Sequence, residues 1–121
     1  MIDTTFARQF AEEWIAAWNA HDLARIFSHY ADDFEMASPY IVERMGEPSG
    51  RLRGKAAIGI YWGRALEAQP NLHFTLVDVL VGANSVAILY RRDTGHLVTE
   101  VLGFDAERRV VSGSAHYSPW P

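Results

Sequence analysis

Phe6, Phe10, Trp14 and Trp18 recur every four residues, with Ala7, Ala11 and Ala17 between them. That spacing lays an apolar stripe along one side of a helix and leaves Glu12 and Glu13 off it. A first helix is expected from Thr4 or Thr5, capped by Asp3 or a threonine. Asn19-Ala20-His21-Asp22 breaks it, and Asp22 can cap a second helix. In that helix Leu23, Ile26, Phe27 and Tyr30 fall at i, i+3, i+4 and i+7, and Asp32-Asp33 is expected to end it. The period then changes to two. Over 34–38, Phe34, Met36 and Ser38 share one face of a predicted strand, Glu35 and Ala37 the other, and Pro39 stops it.

Residues 39–54 show no period and carry Gly46, Pro48, Gly50 and Gly54. They are expected to form an irregular loop, either a lid over a site or a surface excursion. A third helix is predicted over 55–68, with Ile58, Tyr61, Trp62, Ala65 and Leu66 inward. Gly59 and Gly63 share one side of it and permit close backbone approach. Strands are predicted over 72–81, 85–92, 97–104 and 109–118, joined by short turns that favour an antiparallel meander. Helices first and strands afterwards indicate an α+β fold, a single domain over 1–121 with its helices on one face of a sheet. The stretches 76–81 and 86–89 are apolar on both faces. Helices cover only one of them, so a homodimer packed through the back of the sheet is expected.

Composition narrows the class. The chain has 121 residues, 49% hydrophobic and 21% charged, with a formal net charge of −4. Arg51, Arg53 and Lys55 form the only local basic group, so no nucleic-acid partner is expected. With no cysteine, disulfides, thiolate zinc sites and cysteine nucleophiles are excluded. His21 and His29 lack a second ligand at metal spacing. No metal and no cofactor are expected. The N-terminus lacks a signal-peptide pattern and no apolar run reaches membrane-spanning length, so a cytoplasmic location without a membrane partner is expected.

One acid stands in an apolar row. Glu100 shares its strand face with Val98, Leu102 and Phe104. Desolvation there raises its pKa and fits it to donate a hydrogen bond or move a proton near neutrality. Pairing with Arg92 on the neighbouring strand is the other reading. Around Glu100 an aromatic-lined pocket is expected from Trp14, Trp18, Phe34, Met36, Ser38, Tyr61, Trp62, Tyr90, Leu102 and Tyr117. The tryptophans suit a wall where apolar surface meets a polar lining. His116 alternates with Tyr117 and is expected at an interface or rim; His73 and His96 fall at strand starts.

The runs WNAHDLARIFSHYADDFEMASP and GRLRGKAAIGIYWGRAL, followed by a four-strand meander, resemble the nuclear transport factor 2-like superfamily, closest in flavour to its SnoaL-like, polyketide-cyclase-like group. The N-A-x-D-L break, the A-D-D before the first strand and the G-K-A-A-I helix start carry the likeness, which spans nearly the whole chain. It implies a cystatin-like, cone-shaped barrel: three helices packed on a curved, mostly antiparallel sheet around a pocket, often homodimeric. The superfamily holds isomerases, dehydratases, epoxide hydrolases, cyclases and binders, so fold alone does not choose. Against ketosteroid isomerase, Ser38 stands at the general-base position, Trp14 at the oxyanion-hole tyrosine and Glu100 at the second oxyanion-hole acid. Ser38 cannot abstract a carbon-bound proton unaided, which disfavours that mechanism. The expected function is binding of a small apolar, cyclic or aromatic molecule, with metal-free isomerase, cyclase or lyase chemistry using Glu100 as acid. A non-catalytic binder and a dimeric protein-interaction module are the alternatives.

Overall fold

A computed structural model describes all 121 residues. Helix α1 runs Thr4–Asn19, and the Asp3 carboxylate caps it by accepting from the Phe6 N–H at 2.8 Å. Its inward side is the aromatic stripe. Its end is tied to the sheet rather than left to fray. The Asn19 side chain donates to the Phe74 carbonyl at 2.9 Å and accepts from the Phe74 N–H at 2.7 Å. His21 turns the chain with φ 54° and sets its Nε2 2.9 Å from the Leu72 carbonyl.

Helix α2, Leu23–Phe27, stops before the periodicity suggested. Tyr30 is not its last inward residue but the first of strand β1, Tyr30–Ala37. The competing partner is non-local: Tyr30 pairs with Val110, and the Val110 N–H donates to the His29 carbonyl at 2.9 Å. Asp32 and Asp33 therefore end no helix. They lie exposed where the register shifts between Tyr30 and Glu35.

The irregular loop expected over 39–54 is also corrected. It holds helix α3, Pro39–Met45, and strand β2, Arg51–Arg53. Ser38 caps α3 by accepting from the Tyr40 N–H at 3.2 Å, Pro39 opens it, and Gly46 closes it at φ 66°. Those are ordinary start and stop residues for a helix. Only Ile41 is fully buried in it, so no apolar period could form.

Helix α4 is Lys55–Ala68. Strands β3 (Phe74–Val81), β4 (Ser85–Arg92), β5 (Leu97–Phe104) and β6 (Val110–Ser118) complete the chain. The six strands form one sheet in the order β2-β1-β6-β5-β4-β3, antiparallel except for the parallel β1–β6 pair. The architecture is thus α+β, with helices on a curved sheet. Four helices replace the expected three, and the sheet stays open, with β2 and β3 as edges. The covered face holds a continuous core running from Ile2 to Ala115. On the other face Val77, Leu80, Val101 and Val111 are exposed.

The two glycines of α4 differ. A Cβ on Gly59 would meet the Phe27 ring at 3.4 Å, whereas one on Gly63 would meet nothing within 4 Å. Gly63→Ala is expected to stabilise the protein by about 0.5–1 kcal/mol through helix propensity and a less free unfolded chain. Urea denaturation checks this, and an unchanged or lowered midpoint would count against the placement of α4.

Candidate functional site

Strand β5 lies inside the sheet, and there Glu100 pairs with Ile88 on β4 and Ala115 on β6. Its side chain therefore points to the helix-covered face beside buried Val98 and Leu102, and only 6% of the residue is exposed. Tyr90, on the same face of β4, donates its hydroxyl to Glu100 Oε2 at 2.8 Å. The Arg92 reading is corrected: its guanidinium donates to Gln69 Oε1 at 2.7 Å and pairs with Asp93 at 3.2 Å. No cation lies within 4 Å of Glu100. Burial pushes the carboxyl up to about 7, while the Tyr90 hydrogen bond pulls it the other way. Oε1 has no protein partner and is not sealed from solvent-sized space, so it is the oxygen that opens to the cavity.

That cavity measures about 50 Å³, room for a few waters and well short of a typical ligand site. Trp18, Trp62 and Phe74 form its aromatic wall, with Met36, Ala65 and Leu72 filling between. Trp18 and Trp62 meet edge to face at 5.0 Å, and Phe74 stacks on Tyr90 at 4.3 Å. Tyr61, Tyr90 and Tyr117 join Glu100 in the lining, and Tyr40, Arg44, Gln69 and Arg92 complete it. Burial raises the pKa of Tyr61, Tyr90 and Tyr117, keeping each phenol a donor at neutral pH. Glu100 is the only carboxyl in this set. Trp18 Nε1 is buried with no hydrogen-bond partner, an unusual state for an indole.

Of the residues expected to line a pocket, Trp18, Met36, Tyr61, Trp62, Tyr90 and Tyr117 reach this cavity together with Glu100. Four do not. Trp14 lies one helical turn before Trp18, fully buried, and donates its Nε1–H to the Tyr30 hydroxyl at 2.9 Å. Phe34 packs behind Trp62, against Tyr30 and Phe27. Leu102 is sealed in the core opposite Val86 and Gly113. Ser38, 5% exposed, caps α3, and its hydroxyl offsets only a part of the burial that raises the phenols of Tyr61 and Tyr117. Tyr40 and Arg44 went unforeseen because they ride on α3. The Ser-Pro cap and Gly46 stop were the signal for it. Gly113 shapes the wall from beneath, since a Cβ there would stand 2.8 Å from Met36 Sδ. His116 is exposed on the opposite face of β6 from Tyr117.

A profile of the SnoaL-like domain matches residues 11–117. The chain belongs to the SnoaL-like family. Among solved structures, a SnoaL-like protein of unknown function from Burkholderia thailandensis is 57% identical to it. The match covers 97% of this chain and 98% of that one, with a TM-score of 0.95. IdmH of Streptomyces antibioticus, provisionally a polyketide cyclase, is 16% identical over 93% of this SnoaL-like chain and 91% of its own, with a TM-score of 0.76. A protein of unknown function with a cystatin-like fold from Methylobium petroleophilum is 18% identical over 99% and 80%, with a TM-score of 0.76. At those two identities the likeness is one of fold. No curated protein matches the sequence. No three His, Asp or Glu side chains of this SnoaL-like fold come together as a metal-holding group, and no helix is long and apolar enough to cross a membrane.

The raised carboxyl has a signature in stability. Folded Glu100 keeps its proton up to about 7, whereas an unfolded glutamate loses it near 4.5. Its contribution is full below 4.5 and is lost as pH rises to 7, a loss of about 3 kcal/mol. Glu100→Gln is expected to remove that fall, so wild type and variant diverge in urea titrations between pH 4 and 8. Parallel pH profiles would show that Glu100 does not titrate as its burial requires.

Proposed function

We propose that this SnoaL-like protein binds a small molecule with an apolar ring in the cavity over Glu100, and that Glu100 handles a proton on it without a cofactor. The observation that carries the reading is the buried, cation-free carboxyl whose one protein hydrogen bond leaves Oε1 facing the cavity. With Tyr90 donating to Oε2, the acid proton sits on Oε1 and points at the ligand. A ligand carbonyl or hydroxyl oxygen there receives a donor from a neutral acid, as in an oxyanion site. The lining holds no second carboxyl and no histidine. The chemistry that fits is therefore one in which a single group gives a proton to oxygen and recovers one from carbon: a tautomerisation, or a dehydration that releases water. Either falls within the isomerase and lyase classes, and a cyclisation that begins from the enol tautomer follows from the first. Ser38, committed to capping α3, supplies no base.

The small size of the cavity gives a second reading its support. At about 50 Å³ the chamber takes only part of a ligand, as a binder that reads one ring would use it. The two separate on Glu100. Mass spectrometry of material that co-purifies with the protein identifies the ligand, and turnover of that compound is then followed. Glu100→Gln is expected to lower turnover by about 10²–10⁴-fold while binding persists. Wild-type activity is expected to fall as pH rises through about 7, where the acid loses its proton. Unchanged turnover in the variant would end the catalytic role.

The exposed valines and leucine on β3, β5 and β6 support pairing of two copies through the uncovered sheet face. Val101→Asp, at the centre of that face, is expected to convert a two-chain species to one chain in light scattering. A single-chain mass for wild type would remove the dimer.

A further inference from the structure

We infer that the ligand carries an anionic group on its apolar body, and that Arg44 and Arg64 hold that group at the cavity mouth. The inference rests on the reading of the cavity as a ligand site. Outside the aromatic chamber lies an open cleft of about 400 Å³ between α3 and α4. It shares Arg44, Tyr61, Ala65 and Gln69 with the chamber, so the two spaces adjoin along one wall. The cleft lining adds Arg64 and contains no acid.

The charge pattern singles out these two arginines. Of the 11 lysines and arginines, seven have a carboxylate within 4 Å: Arg8, Arg25, Arg51, Arg53, Lys55, Arg92 and Arg109. Four do not. Arg91 donates to the Gly95 carbonyl, and Arg108 lies over the Phe6 ring at 4.5 Å. The remaining two, Arg44 and Arg64, line the same cleft. Neither is loose. The Arg44 guanidinium lies over the Tyr40 ring at 4.5 Å, and Arg64 Nη1 reaches Met45 Sδ at 3.9 Å. Two guanidiniums facing one concavity repel each other unless an anion or solvent stands between them. This happens in a chain whose net charge is −4, against the overall sign of the molecule. Guanidinium donors match carboxylate and phosphate oxygens in geometry. Gln69 adds an amide at the junction, its oxygen already taken by Arg92 and its N–H groups left for a ligand. The edge of such a ligand's ring reaches into the chamber towards Glu100, while its body and anionic end stay in the larger cleft, away from that acid.

Three probes of one shape test this: 2-naphthoate, 2-naphthyl phosphate and neutral 2-naphthamide, each titrated by calorimetry. An anionic probe is expected to bind about tenfold or more tightly than the amide, the stronger of the two anions naming the group. In the double variant Arg44→Gln/Arg64→Gln the preference is expected to vanish while amide affinity holds, and 0.5 M salt is expected to shrink it in wild type. Equal binding of all three, or a preference that survives the double variant, overturns the anion site and leaves the cavity reading standing. Failure of wild type to bind any of them overturns both.

Discussion

Removing a carboxyl from water is the constraint around which this molecule is arranged. Glu100 sits on an interior strand, under helices, with no cation to offset its desolvation. The surroundings solve that problem by neutrality. Tyr90 supplies a hydroxyl, Tyr61 and Tyr117 stand nearby as phenols, and Arg92 is drawn off by Asp93 and Gln69. An arginine paired to Glu100 would hold it ionised and inert. A phenol leaves it poised between two protonation states near physiological pH, at a cost in stability that the aromatic core around it absorbs. Phe74 stacks on both Trp14 and Tyr90, and Trp14 meets Tyr90 at a tilt, so the phenol that holds the acid is itself held by rigid rings.

The aromatic stripe of α1, the later strands and the isolated acid on β5 were legible because each rests on local periodicity or on a break in it. Tyr30 was not, since its fate depends on Val110 at the other end of the chain. Nor was α3, whose single buried residue writes no pattern, and with it went Tyr40 and Arg44. Trp14 and Trp18 show a finer limit. They share one stripe, yet one is sealed against Tyr30 and the other lines a cavity. Only the position of α4, which brings Trp62 against Trp18, separates them.

The two positions where the chain departs from ketosteroid isomerase both have structural employment here. The Ser38 hydroxyl accepts from the first turn of α3 and stands against the phenols of Tyr61 and Tyr117. Trp14 spends its indole N–H on Tyr30. At both positions the polar group serves as an internal fastener, and Glu100 is the acid left unpaired by any cation. That is how one fold carries many activities: the frame persists while hydrogen-bond partners are reassigned.

The parallel β1–β6 pair has a consequence for how the chain comes to be folded. Met36 lies opposite Leu52 of short β2 on one side and Gly113 on the other, so the first long strand completes its pairing only when the last has been made. During synthesis the apolar side of α1 and the early strand emerge long before any surface exists to receive them. The meander of β3 to β6 can assemble from neighbours in sequence; the N-terminal third has only the three-residue β2 as a nearby strand partner. The segment that carries the aromatic stripe is therefore the one that depends most on the rest of the chain to acquire a shape.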